Sequence, residues 1–213
     1  VQIFSEIKKQ KIKKIFINEN GQWKTFIDQD LIQEVKLKIM SDSICFFIDA
    51  SIPHAFFLLL AICDIFQFVM AKRDEPILMR GGIVQGQIYA EGDIAFGPGL
   101  TDAYLLEEKS AKYPRIIISK ETLEEAKSQI DNGFLGYIDG VTQLDEDGYY
   151  IIDYLSSFFR NPEKPNAAVD FYKHIIAVLD RETDPSIIGK YLYLKKRIET
   201  FFTEFYYKGF YEN

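Results

Sequence analysis

A length of 213 residues with 47% hydrophobic content suits one domain with a sizeable core, and excludes a disordered or low-complexity polymer. The net charge of −7 and a pI near 5.0 exclude the basic face of a general nucleic-acid binder. The two cysteines, Cys45 and Cys63, have neither metal-ligand spacing nor a disulfide framework, which predicts a reduced, cytoplasmic protein.

Val1–Phe16 carries apolar residues at helical spacing, with Ile3, Phe4, Ile7, Ile12 and Ile15 sharing a face opposite lysines. "NENGQW" reads as a turn. Val35–Met40 alternates as a half-buried strand, "SDS" interrupts it, and "ICFFI" is a second strand, so Asp42 stands at the junction of a hairpin. Pro53 suits the start of a long apolar helix running through "AFFLLLAICDIFQFVMAKR". Its continuous apolar run, Ala55–Cys63, is too short to span a bilayer, and Asp64 and Gln67 interrupt its continuation.

Strands are predicted over Ile77–Val84, Gln87–Ala90, Asp93–Phe96 and Arg115–Ser119, and helices over Leu100–Lys112 and Glu121–Ile130. "GYIDGVTQLDEDGYYIIDYL" reads as short strands around an Asp147–Gly148 turn. Pro162 and Pro165 mark a linker, and helices are predicted after it over Ala167–Leu179 and Ser186–Tyr207. The mixed order, with hairpins in place of strict strand–helix–strand repeats, predicts an α+β sandwich. Residues 1–160 are expected to form its body, and 161–213 a C-terminal helical segment packed on it.

Gly81, Gly82, Gly86, Gly92, Gly97 and Gly99 are scattered along the strands rather than gathered at one turn. Glycines inside strands weaken them and mark close approach of a ligand or another backbone. Walker-type phosphate loops and G-x-S-x-G elbows are absent. His54 and His174 lie far apart and read as surface or capping residues. Asp42 is either a turn aspartate or an oxygen ligand for a divalent cation. Arg80, before a glycine pair, either grips phosphate bidentately or pairs with a structural carboxylate. The charged run Glu107–Lys112 reads as a solvated helix face with i,i+4 pairs such as Glu108–Lys112.

The ordered set "SDSICFFI", a long apolar helix, "LMRGGIVQG" and "IAFGPGLTDAYLLEEKSAKYPRIIIS" resembles the class III nucleotidyl cyclases, and within them the bacterial pyrimidine cyclases of Pycsar anti-phage systems. That branch has a similar S-D-S hairpin, R-G-G/A-I-x-x-G, F-G-P-A-L-x-x-A-Y-x-L-E and A-x-Y-P-R-I. The likeness covers Lys36 to Ser119, and "KYLYLKKRIETFF" is similar to a weaker element near the family's end.

The resemblance implies a class III cyclase-like sheet packed with helices, and a head-to-tail homodimer binding a nucleoside triphosphate across its interface. It implies two aspartates holding Mn2+ or Mg2+. Asp42 matches one; the other is expected in a strand upstream of Val1. It further implies conversion of UTP or CTP to a cyclic mononucleotide, an anti-phage signal read by a separate cyclic-nucleotide-sensing effector, with no role for nucleic acid or membrane. Arg80 is expected to contact phosphate or shape the site, and Tyr104 to lie near the substrate. Lys38, four residues before Asp42, and Asp93 fall at or near base-selecting positions. Thr101 and Leu105 stand where many purine cyclases carry Asn and Arg. The alternatives are a catalytically degenerate cyclase-like module that binds nucleotide or protein, and a purine cyclase.

Overall fold

The computed structural model describes residues 16–19, 22–25, 34–40, 43–91, 94–130, 132–160 and 167–211. The helix predicted over Val1–Phe16 lies outside them except at Phe16, which opens a strand. β1 (Phe16–Glu19) and β2 (Gln22–Thr25) form an antiparallel hairpin. A second hairpin, β3 (Lys36–Met40) and β4 (Ser43–Phe47), pairs Lys38 with Cys45 and matches the predicted strands.

α1 (Ala55–Ala71) is the long apolar helix. His54 precedes it in the left-handed region at φ 63°, its carbonyl accepts from Leu58 N–H, and its ring stacks on Phe134 at 4.1 Å. The helix is apolar nearly all round because it is covered nearly all round. On one side Leu58 and Ile62 meet Val35, with Phe46 and Ile48 of the β3–β4 hairpin region packed against them. On another, Leu60 and Cys63 face a central sheet.

That sheet has the order β5 (Gly81–Ile83), β8 (Ile116–Ile118), β10 (Tyr150–Ile152), β9 (Thr142–Leu144). Between β5 and β8 the chain forms the hairpin β6 (Tyr89–Glu91) and β7 (Ile94–Phe96), then α2 (Pro98–Ser110). This excursion is the crossover that lets β5 and β8 pair in parallel; the other two pairings are antiparallel. Side chains alternate between the sheet's faces. Ile83, Ile118 and Ile152 join Leu60, Cys63, Leu123, Ile138 and Val141 on one face, while Ile117 and Ile151 meet Ala111 and Leu106 on the other. A fully buried Ile or Leu of this kind stabilises by roughly 1.5–3 kcal/mol. The layers are therefore α1 with α3 (Lys120–Gln129) and α4 (Asn132–Val141), the sheet, and α2.

A third core unites the end of α1 (Phe68, Ala71) and Tyr154, Leu155 and Phe158 around α5 (Ser156–Arg160) with Phe171 and Ile175 of α6 (Ala167–Leu179) and Leu194 and Ile198 of α7 (Pro185–Tyr211). The mixed α+β class agrees with the sequence reading, and among the described residues no helix is long and apolar enough to cross a membrane.

Three local expectations are corrected. "GYIDGV", read as extended, is helical as part of α4: Phe134, Ile138 and Val141 recur at helical spacing and are buried, a pattern that Gly136 and Gly140 obscure. The strand expected from Ile77 starts only at Gly81, because Ile77 N–H turns back to Met70 carbonyl at the end of α1. Lys112 falls beyond the end of α2 at Ser110, so it is not a helical i,i+4 partner for Glu108. The linker prolines Pro162 and Pro165 lie outside the described residues.

Gly82 shares the face of Ile117 and Ile151, where α2 comes so close that a Cβ would sit 2.5 Å from Ala103 carbonyl oxygen and 3.2 Å from Glu107 nitrogen. Gly136, in contrast, has nothing within 4 Å of an added Cβ. Gly82→Ala is expected to destabilise by about 1–3 kcal/mol through overpacking. Gly136→Ala is expected to stabilise by about 0.4–1 kcal/mol. Urea unfolding of the two variants beside wild type checks both signs.

Candidate functional site

The resemblance-bearing motifs meet at the junction of β5 and α2. Gly97, at φ 142°, precedes α2, and an added Cβ there would lie 2.6 Å from Gln87 carbonyl oxygen. Gly99 N–H donates to that same carbonyl at 2.9 Å, and Gly86 packs against Gly99 backbone to backbone. Gln85 N–H is held by Thr122 Oγ1 at 2.8 Å. The glycines at 82, 86, 97 and 99 thus serve close approach within this chain, between the strand, its following loop and the start of α2. The sequence allows that use beside ligand approach and does not select it.

Arg80 lies one residue before β5 and forms an ion pair with Glu107 on α2, Nε being the guanidinium nitrogen nearest the carboxylate. Glu107 is consequently not part of a solvated face: its side chain is 19% exposed against 49% for Arg80. Of the two readings of Arg80, pairing with a carboxylate is the one the fold displays. Tyr104, one helical turn before Glu107, is 57% exposed. Thr101 turns its hydroxyl back to Gly97 carbonyl at 3.4 Å, and Leu105 is half-buried.

Lys38 is half-buried on β3, in a hairpin that forms its own two-stranded sheet among the described residues. Asp42 and Asp93 both lie outside the described residues. The fold therefore groups Arg80, Glu107 and the α2 surface, and no contact of Lys38 with that group is seen. Among the described residues no three His, Cys, Asp or Glu side chains are gathered to hold a metal ion. Burial pushes the Cys63 thiol up to about 12, so it is a core residue and not a thiolate ligand.

Beside this junction the β6–β7 hairpin exposes Tyr89 at 48%, Ile94 at 61% and Phe96 at 58%, with the Tyr89 and Phe96 rings 5.0 Å apart.

A second constellation joins Y-P-R to the C-terminal helix. Arg115 is buried and pairs with Asp145 and Asp147 of the β9–β10 turn, with Nη2 also donating to Ser110 carbonyl at the end of α2. From α7, Tyr193 hydroxyl donates to Asp145 at 2.6 Å, and Arg197 donates to Asp153 at 2.9 Å and Gln143 at 2.7 Å. The Tyr113 and Tyr193 rings stack at 4.5 Å and 4°. Burial alone pushes the Asp145 carboxyl up. The Tyr193 hydroxyl, the Glu146 N–H, Arg115 and the Arg197 charge outweigh that and hold it below its ordinary 3.8. Burial likewise disfavours the Arg115 charge, but the two aspartates more than offset it, so this guanidinium stays charged.

Sequence reasoning misses Glu107, Asp145, Asp153, Tyr193 and Arg197. The available signal is the i,i+4 spacing of Tyr193 and Arg197 on an otherwise apolar helix face, and the acidic turn "DEDG" facing an Arg that precedes "III". No protein family, no curated protein and no solved structure matches this chain.

Removing one partner of a buried ion pair costs about 3–5 kcal/mol, so Asp145→Asn is expected to lose about 3 kcal/mol at pH 7. A carboxyl whose folded pKa is depressed stabilises above its unfolded value, near 3.8, and that stability drains as pH falls below it. The gap between wild type and Asp145→Asn should therefore shrink as pH is lowered through 3.8. Urea unfolding at pH 7 and in acid reads the gap; an equal gap at both would contradict the assignment.

Proposed function

We propose that this chain is the catalytic domain of a metal-dependent nucleotidyl cyclase converting UTP or CTP to the 3′,5′-cyclic mononucleotide and pyrophosphate. The observation that supports this best is the joint between two of the resemblance-bearing motifs. The R-G-G-I strand and the A-Y-L-L-E helix, distant in sequence, share one surface through Arg80–Glu107 and the close approach at Gly82. A cation and an exposed tyrosine on α2 border that surface, which is the chemistry a nucleotide's phosphates and planar base require.

In the reaction the ribose 3′-oxygen bonds to the α-phosphorus and gives its proton to solvent, while the bond from that phosphorus to the bridging oxygen breaks and pyrophosphate leaves with that bond's electron pair. From the resemblance, Arg80 would offset phosphate charge, Tyr104 would border the substrate, and Lys38 and Asp93 would contact the base edge. The requirement for Mn2+ or Mg2+, with Asp42 as one ligand and the other aspartate upstream of Val1, follows from the resemblance. The cytoplasmic setting, the anti-phage role and the cyclic-nucleotide-sensing effector have the same status. The apolar hairpin carrying Tyr89, Ile94 and Phe96 suits the core of a homodimer interface.

A second reading, a catalytically degenerate cyclase-like module, is favoured by α2 itself. Thr101 is turned onto its own helix and Leu105 is half-buried, so neither offers a group for a transition state.

Incubated separately with each of the four nucleoside triphosphates and Mn2+, the full-length protein is expected to convert UTP or CTP and leave most ATP and GTP unreacted, as read by chromatography. Asp42→Asn is expected to reduce that turnover at least a hundredfold, since a ligand to a catalytic metal supplies several kcal/mol of transition-state stabilisation, about 1.4 per tenfold. Cyclic AMP at a comparable rate would instead identify a purine cyclase, and no product from any triphosphate would leave the binding module.

The homodimer has its own test. Phe96→Asp places a charge at the centre of the exposed hairpin patch and is expected to convert a dimer into a monomer in light scattering at about 10 μM, well above the affinity of a stable interface. A wild-type monomer with full activity would remove the dimer from the proposal.

A further inference from the structure

We propose that Glu107 is a positioning residue for Arg80, holding its guanidinium by the Nε edge so that the two terminal nitrogens form a fork for a phosphate oxyanion. The inference rests on the nucleotide reading above and adds a residue to it. Three observations carry it. The Glu107 carboxylate lies nearest Nε, and the paired terminal nitrogens make no hydrogen bond to the described residues; those nitrogens are the ones that grip two oxygens of a phosphate in parallel. The carboxylate is the inner member of the pair and the guanidinium the outer, so the fork lies on the solvent side. The backbone that carries the carboxylate is held in place, because Glu107 and Ala103 pack against Gly82 with no room for a Cβ. An ion pair whose cation stands half in water is screened by solvent and contributes little to stability. The pair therefore suits orientation better than it suits holding α2 to β5, which the contact at Gly82 already does.

The probe is inorganic pyrophosphate, titrated calorimetrically into the full-length protein. Arg80→Gln is expected to weaken binding at least tenfold, and Glu107→Gln about three- to tenfold, the range for losing the orientation of one charge-assisted contact. The double variant should bind no worse than Arg80→Gln alone, and the melting temperature of Glu107→Gln should stay within about 2 °C of wild type, as for a pair screened on its cation side. Glu107→Asp, which keeps the charge, should recover part of the affinity. Unchanged affinity in Glu107→Gln, an equal further loss in the Arg80→Gln background, or no pyrophosphate binding by wild type would each overturn the proposal. If pyrophosphate binding depends on both residues while no triphosphate is cyclised, the cyclase reading fails and the anion fork stands. If UTP or CTP is cyclised while both variants bind pyrophosphate normally, the fork fails and the cyclase reading stands.

Discussion

Arg115 is a charged side chain in the interior, and it ties together three parts of the chain that share no local sequence. Its guanidinium reaches the β9–β10 turn through Asp145 and Asp147, and the end of α2 through Ser110 carbonyl. Asp145 then receives Tyr193 from α7, and Arg197 from the same helix reaches Asp153 beyond β10. A buried charge is expensive unless it is paired and hydrogen-bonded. Each member of this group therefore needs the others in place, and α7 docks in one register only. The apolar core shared by α1, α5, α6 and α7 supplies area, but area is non-directional; the ion network sets which face of α7 meets the sheet.

The same clamp constrains the candidate site at one remove. Ser110 ends α2, the helix whose start is pinned by Gly97 and Gly99 to the loop after β5 and whose middle rests on Gly82. A helix held at both ends and in the middle presents Glu107 and Tyr104 at fixed positions. The exposed hairpin of Tyr89, Ile94 and Phe96 leads directly into it, so the apolar surface and the Arg80–Glu107 pair belong to one continuous stretch of structure. The motifs that resemble a cyclase thus also carry much of the packing. R-G-G supplies the close approach, F-G-P-G the helix start, and Y-P-R the clamp.

Much of the architecture is legible in the sequence, because it depends on local patterns. The apolar run after Pro53, the alternation from Val35 to Ile48 around "SDS", the Asp147–Gly148 turn and the two C-terminal helices all declare themselves by period and punctuation. The Asn132–Val141 helix escapes such a reading because two glycines dilute its apolar repeat, and its helical state is supported by burial of Phe134, Ile138 and Val141 against the rest of the fold. At the site, the sequence marks Arg80 and Tyr104 as candidates and leaves Glu107 on a solvated face. A carboxylate in "LLEEKS" looks like any surface residue until a strand from elsewhere brings an arginine to it.

The sequence by itself determined the α+β class, the placement of most helices and strands, and the chemistry available: an acidic, aromatic-rich chain with glycines among its strands and an arginine just before them. Only the tertiary structure decided how those glycines are used, which carboxylate holds Arg80, and why Arg115 can be buried. The physical reason is the same in each case. Period and propensity act between residues a few positions apart, whereas a missing Cβ, an ion pair or a desolvated charge acquires its meaning from a partner that only the fold brings within a few ångströms.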